Sequence, residues 1–302
     1  MPRKTLISSS SGLVEDVADP ASRRGLGAED FSPDFQLSFP YRGVFVWHVG
    51  RDEIVGDANQ ILFVTGGEAF RLSTPRSGGF SELIVTPKQS VLREVTEATG
   101  FDLADHPSFR ARSRMATPTI QRACAALLHD AGTQGATETF EAEERLLGLL
   151  RTAFAVDLAT KMPSTRTRRL IRRTKEFLES AFSKSLRLSD VADAVGASST
   201  YLTDVFSRFE GVSLHRYVTQ LRLARALVEL PEADDLTSLA LDLGFSSHSH
   251  FTLAFRRAFG CTPSTFRARS NRKREGAMLA STRPVRGDGK LASSVVACQG
   301  GF

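Results

Sequence analysis

Between Leu188 and Gly260 the apolar residues fall into two blocks with the same layout. In the first, Leu188, Val191, Ala192 and Val195 recur at helical spacing as far as Gly196, and Leu202, Val205, Phe206 and Phe209 resume it as far as Gly211. The second runs through Leu236, Leu239, Ala240 and Leu243 to Gly244, then through Phe251, Phe255 and Phe259 to Gly260. Such a stripe gives each helix one face to bury and leaves the opposite face for a partner. Glycine suits the reversals, where a helix end often needs positive φ. Ser198, and Ser246 or Ser247, supply a hydroxyl to cap the helix that follows. The pattern predicts two helix-turn-helix units. Between them Ser213 to Leu230 reads as one long helix ended by Pro231. At about 1.5 Å per residue it spans roughly 25 Å, a length suited to holding two reading helices about one DNA turn apart.

Upstream the period changes. Residues 1–30 are rich in Ser, Gly, Asp and Arg, with Ser8 to Ser11 in a row, and are expected to be disordered. From Asp34 to Pro87 short strand-like runs appear: Phe35 to Phe39, Val44 to Val49, Gln60 to Val64, Ala69 to Leu72 and Leu83 to Val85. Gly, Pro, Asp and Asn separate them at spacings that predict an all-β barrel. Gly66-Gly67-Glu68 reads as a hairpin turn rather than a phosphate loop, because no helix pattern follows it. Helical segments follow near Ser90 to Ala98, Thr119 to Asp130 and Glu138 to Thr160. The fold class is α+β, with a sensor or dimerisation domain at 31–162, a DNA-binding domain at 163–270 and a disordered tail at 271–302.

The residues Gly211-Val-Ser-Leu-His-Arg-Tyr-Val, Arg222-Leu-Ala-Arg-Ala-Leu, Leu239-Ala-Leu-Asp-Leu-Gly-Phe and Phe255-Arg-Arg-Ala-Phe-Gly-Cys-Thr-Pro-Ser-Thr-Phe-Arg267 resemble the DNA-binding domain of AraC/XylS-type bacterial transcription regulators. The likeness covers roughly residues 168 to 268. Phe209-Glu210 reverses the family's usual charged-then-aromatic order, and Leu253 stands where many relatives carry a polar or basic residue. The resemblance implies a transcription regulator, most often an activator, with a cupin-like β-barrel ahead of the DNA-binding domain. It implies double-stranded DNA and RNA polymerase as partners, a homodimer, and a small-molecule effector in the barrel. The alternative is an effector-independent regulator whose N-terminal domain serves only dimerisation or protein docking.

Helical spacing leaves Ser199, Thr200, Thr203, Asp204 and Ser207 outward on the first reading helix, with Arg208 beyond them. The family pattern maps reading positions to Thr200, Thr203 and Asp204. Threonine contacts a thymine methyl or donates a hydrogen bond, and a carboxylate accepts from a cytosine amino group. An intrahelical pair with Arg208 at i+4 is an equal alternative for Asp204. On the second helix His248, Ser249 and Thr252 face outward, followed by Arg256 and Arg257. Because Leu253 cannot hydrogen-bond a base edge, the second unit is expected to lean on phosphate contacts and DNA shape.

The charge is divided in the same way. Residues 1–163 carry 17 Lys and Arg against 21 Asp and Glu, a net −4, whereas residues 164–274 carry 19 against 11, a net +8. Basicity confined to one domain is the electrostatic footprint of phosphate binding. The run Arg166, Arg168, Arg169, Arg172, Arg173 and Lys175 is expected to touch phosphate, with a solvated linker face as the alternative.

The remaining chemistry is thin. Phe45, Trp47, Phe63 and Phe70 are candidates to line a ligand cavity, against the plainer reading that they fill the barrel. His48 lacks the companion histidines a metal would need, so no metal or cofactor is expected, and no catalytic constellation is present. Cys124, Cys261 and Cys298 are odd in number and far apart, as reduced thiols would be. DNA-repair methyltransferases that share the domain need a reactive cysteine cluster near the N-terminus, and the first cysteine here is Cys124. No apolar run approaches the roughly 20 residues of a membrane span, so a cytoplasmic location is expected. In Glu138 to Thr160 the residues Phe140, Leu146, Leu147, Leu150, Phe154 and Leu158 form a stripe read as a dimer contact, with packing on its own barrel as the alternative.

Overall fold

The computed structural model describes residues 1–20, 25–74, 79–98, 112–134, 140–154 and 164–281. Two antiparallel sheets come first. The larger runs in the order β1 (Arg3–Ser8), β2 (Gly12–Asp19), β9 (Phe80–Pro87), β4 (Gln36–Gly43), β7 (Gln60–Val64) and β10 (Ser113–Met115). The smaller runs β3 (Asp30–Phe31), β8 (Ala69–Ser73), β5 (Phe45–Val49) and β6 (Asp52–Gly56).

The larger sheet is covered on both faces. Leu62 and Val64 of β7 and Phe80 of β9 meet Phe45, Trp47 and Val49 from the smaller sheet. Ile61 and Phe63 of β7 meet α1 (Gln89–Ala98), α2 (Pro118–Gln134) and α3 (Phe140–Phe154) on the other face, through Leu92, Ile120, Leu127, Leu146 and Leu150. Burial on both sides explains why every residue of Gln60–Val64 is buried and why that run reads as continuous rather than alternating. The expected barrel thus takes the form of two packed sheets with a helical layer behind the larger one.

Four expectations change. Residues 1–30 include two strands, because β2 pairs with β9 from Gly12↔Pro87 to Asp19↔Phe80, and β1 pairs with β2. The partner that satisfies this backbone lies far along the chain, where composition cannot reveal it. Gly66-Gly67 joins β7 to β8, which belong to different sheets, so it is a corner and not a hairpin. Leu146, Leu150 and Phe154 of the proposed dimer stripe are buried in their own domain and Leu147 is half-buried; Leu158 lies outside the described residues. The tail expected from 271 begins inside α10 (Pro263–Ser281), while 282–302 lie outside the described residues.

The C-terminal half is all helical: α4 (Thr165–Ala181), α5 (Leu188–Val195), α6 (Ser199–Glu210), α7 (Leu214–Glu229), a 3-10 turn at Leu230–Glu232, α8 (Leu236–Asp242), α9 (His248–Phe259) and α10. It holds two cores. One joins Leu178, Val191, Val195, Leu202, Phe206 and Tyr217; the other joins Leu223, Leu227, Leu239, Phe251, Phe255 and Phe259. Each receives one alanine from the N-terminal half, Ala58 in the first and Ala125 in the second. The expected boundary at 162/163 falls outside the described residues.

Candidate DNA-binding surface

Both units are built and capped as their sequences require. Gly196 closes α5 with φ 69°, and Ser198 caps α6 by accepting from the Tyr201 amide. Gly211 closes α6 with φ 71°. In the second unit Gly244 takes φ 84°, Ser247 caps α9 by accepting from the His250 amide, and Gly260 closes it with φ 74°. Asp235 accepts from the Ser238 amide at the start of α8, and these hydrogen bonds hold its carboxyl below the usual range. Between the units α7 is capped by Ser213 and gives way to the 3-10 turn at Leu230. Its 16 residues span about 24 Å.

On α6 the structure buries Leu202, Val205 and Phe206 and exposes Thr200, Asp204, Ser207 and Arg208, with Ser199 and Thr203 half-buried. The hydroxyl of Thr203 donates to the Ser199 and Thr200 carbonyls, and that of Ser207 to Thr203 and Asp204. Asp204 pairs with Arg208 at 2.6 Å, the i+4 alternative raised by the sequence. Tyr201, which the apolar stripe did not flag, is 45% exposed on the same helix.

The second recognition helix has a different face. Ser249, Arg256 and Arg257 are exposed and His248 is half-buried. Leu253 is 48% exposed. The Thr252 hydroxyl is buried and has no hydrogen-bond partner among the described residues, so it is turned away from the solvent face. His250 is also exposed and bonded to the Ser246 hydroxyl at 3.2 Å, a neighbour that the spacing argument passed over.

The basic run ahead of the first unit is split. Arg166, Arg169 and Arg173 are exposed, but Arg168 and Arg172 turn onto β6 and Lys175 is buried against Glu210 at 2.8 Å. Phosphate contact by the whole run is therefore not what the geometry offers. The turn between β6 and β7 enters the first unit's core. There the Tyr217 hydroxyl donates to Asp57, and the Asn59 side chain donates to the Tyr217 carbonyl. Burial pushes the Asp57 carboxyl up, against the pull of Lys175 and Tyr217. At the second unit Arg122 of α2 donates to the Phe259 carbonyl at the end of α9.

The aromatic residues expected around a ligand do not converge. Phe45, Trp47 and Phe70 sit together between the sheets, whereas Phe63 faces the helices from the opposite side of β7. Strand alternation makes this unavoidable once Leu62 points inward. Phe45 packs on Phe80 with centroids 4.5 Å apart, and Trp47 meets Phe70 edge-on. A cavity of about 270 Å³ opens at the rim, lined by Arg3, Asp19, Phe70, Leu72, Thr74 and Phe80 among others.

A family model described as a helix-turn-helix domain matches residues 191–269. The chain is 34% identical over 100 residues to the HTH-type transcriptional regulator ExsA of Pseudomonas aeruginosa, covering 33% of this chain and 36% of that one. It is 35% identical over 85 residues to the probable transcription factor PqrA of Proteus vulgaris, covering 28% of this chain and 70% of PqrA. Among solved structures, ToxT from Vibrio cholerae aligns over 86% of this chain and 98% of its own at 13% identity, with a TM-score of 0.34. The chain spans about a third of the length of relatives such as ExsA, the shared part being the DNA-binding domain. With two units matched in register and most of PqrA covered, the chain belongs to the AraC/XylS family of transcription regulators.

Proposed function

We propose that the chain is a sequence-specific DNA-binding regulator, an activator, whose two recognition helices enter the major groove on one face of the duplex. The observation that carries this reading is the pair of capped helices α6 and α9, each with a polar exposed face, on the domain that holds the chain's positive charge. Thr200, Thr203 and Asp204 read bases in the first unit, with Ser199, Ser207 and Arg208 at its margin. His248 and Ser249 open the second helix, and Arg256 and Arg257 bind phosphate. RNA polymerase is the partner an activator requires, and the cytoplasm is where both meet. No helix among the described residues is long and apolar enough to cross a membrane.

Two chains acting together would multiply a modest single-site affinity through effective concentration. Because Leu146, Leu150 and Phe154 of the α3 stripe are spent on their own domain, a homodimer would use another surface. A small-molecule effector would enter at the rim cavity beside Phe70 and Phe80. A second reading, an N-terminal domain that docks without any effector, is favoured by the filled space between the sheets, where Phe45 and Trp47 are each 2% exposed.

The test is selection of duplexes from a random pool, followed by base-by-base substitution of the selected site. A selected sequence with stronger discrimination in one half, and weaker discrimination under the second unit, supports the reading. No enrichment refutes regulation by sequence, and equal discrimination in both halves refutes the division of labour. Native mass spectrometry of the purified chain separates the two N-terminal readings: a co-purifying small molecule favours the effector.

A further inference from the structure

Two cations of α4 are held by the β-sheet domain rather than by solvent. Arg168 Nη1 lies 2.5 Å from Asp52 Oδ1, and Arg172 Nη1 lies 3.4 Å from Glu53 Oε2. The acceptors are the first two residues of β6, and the arginines stand one helical turn apart, so the pairs form side by side. Asp52 also accepts from Arg112 Nε at 3.2 Å, but the Arg112 fork is already engaged by Glu68 through two bonds of 2.7 Å. Arg112 therefore does not depend on Asp52 for a counter-ion.

Helix α4 is anchored independently of these pairs. Its Leu178 lies in the core of the first unit, and Arg173 donates to the Ala194 carbonyl at the end of α5, just before the turn into α6. The arginine-rich surface of α4 thus borders the first reading unit. The two ion pairs are partly exposed, with side-chain exposures of 31% and 28% for Arg168 and Asp52 and 27% and 44% for Arg172 and Glu53. Pairs of this kind contribute little to stability and exchange readily for another anion. A DNA phosphate offers a guanidinium the same bidentate partner as a carboxylate.

We infer that Asp52 and Glu53 stand in for DNA phosphate, holding Arg168 and Arg172 out of the nucleic-acid contact and so restraining the affinity of the first unit. The inference rests on the DNA-binding reading above. It makes the sheet domain an electrostatic competitor as well as a scaffold: an acidic half docked on a basic one, with β6 as the competing strand. Any event that draws β6 away from α4 frees Arg168 and leaves Arg172 with only its helical neighbour Glu176, 3.8 Å away, beside α6.

The experiment uses the full chain with Asp52→Asn and Glu53→Gln together, titrated against a duplex selected as above at several salt concentrations. Two additional phosphate contacts should steepen the plot of log affinity against log salt by about 1.8, at about 0.9 per contact. Affinity at low salt should rise severalfold. Glu53→Gln alone, which leaves the Arg168 pair intact, should give about half the change in slope. Adding Arg168→Gln and Arg172→Gln to the double variant should abolish the gain. A double variant that binds with the wild-type slope overturns the inference, as does a gain that survives loss of both arginines, which would report only the lower negative charge. A wild-type chain that retains no duplex at any salt instead overturns the DNA-binding reading, and this restraint with it.

Discussion

Tyr217 and Asp57, 160 positions apart, share a buried hydrogen bond of 2.5 Å in the join between the sheet domain and the first helix-turn-helix unit. Both are fully enclosed, and the Tyr217 ring also meets Phe206 edge-on at 5.1 Å. Tyr217→Phe keeps that ring contact and removes one of the donors to a buried carboxyl. Leaving such a group short of a partner costs about 1 to 3 kcal/mol. Chemical denaturation should show a loss in this range, and a change below about 0.5 kcal/mol would mean that the bond contributes nothing net.

Gly196 and Gly244 occupy equivalent turns but should not tolerate alanine equally. Both have positive φ, which costs an L-residue about 1 to 2 kcal/mol. A Cβ at Gly196 meets open space, whereas at Gly244 it would lie 2.6 Å from the Ser183 carbonyl oxygen. Gly244→Ala should therefore lower the melting temperature clearly more than Gly196→Ala. Equal shifts would show that backbone conformation alone decides.

Glu82 supplies a pH dependence. Burial pushes its carboxyl up to about 7 from an ordinary 4.5, while a hydrogen bond from Ser38 pulls the other way. The folded chain thus holds this proton more tightly than the unfolded chain does. Its stabilising contribution is complete below about pH 4.5 and is lost as pH rises to about 7. The difference corresponds to about 3 kcal/mol. In Glu82→Gln this slope should vanish, so wild-type and variant stabilities should diverge across that range. Parallel curves would assign the acid–base behaviour to other groups.

Leu150 is fully buried between α3 and the larger sheet. Leu150→Ala should cost about 2 to 5 kcal/mol through the cavity it leaves. The mass of the native assembly in sedimentation should stay as in the wild type. A shift to a smaller species in a chain that remains folded would restore α3 as an interface.

The local pattern of the chain marks α5 to α9 almost to the residue because their signals are local. Helical spacing, a glycine at the αL position and a serine cap are all read within one turn of where they act. It does not reveal β1 and β2, because β2 becomes a strand by pairing with the distant β9 and β1 by pairing with β2. It grouped Phe63 with Phe45 and Trp47, and the two-sided burial of β7 separates them.

The same division runs through the candidate site. Local pattern alone determined two reading helices, their exposed polar faces and the basic character of the domain that carries them. Tertiary structure decided which cations are available: Arg166, Arg169 and Arg173 are exposed, while Arg168, Arg172 and Lys175 face Asp52, Glu53 and Glu210. The physical reason is range. A helix cap or stripe depends on neighbours three or four residues away, but a charge is neutralised or freed by whatever the fold brings beside it, and β6 reaches α4 from more than a hundred positions upstream.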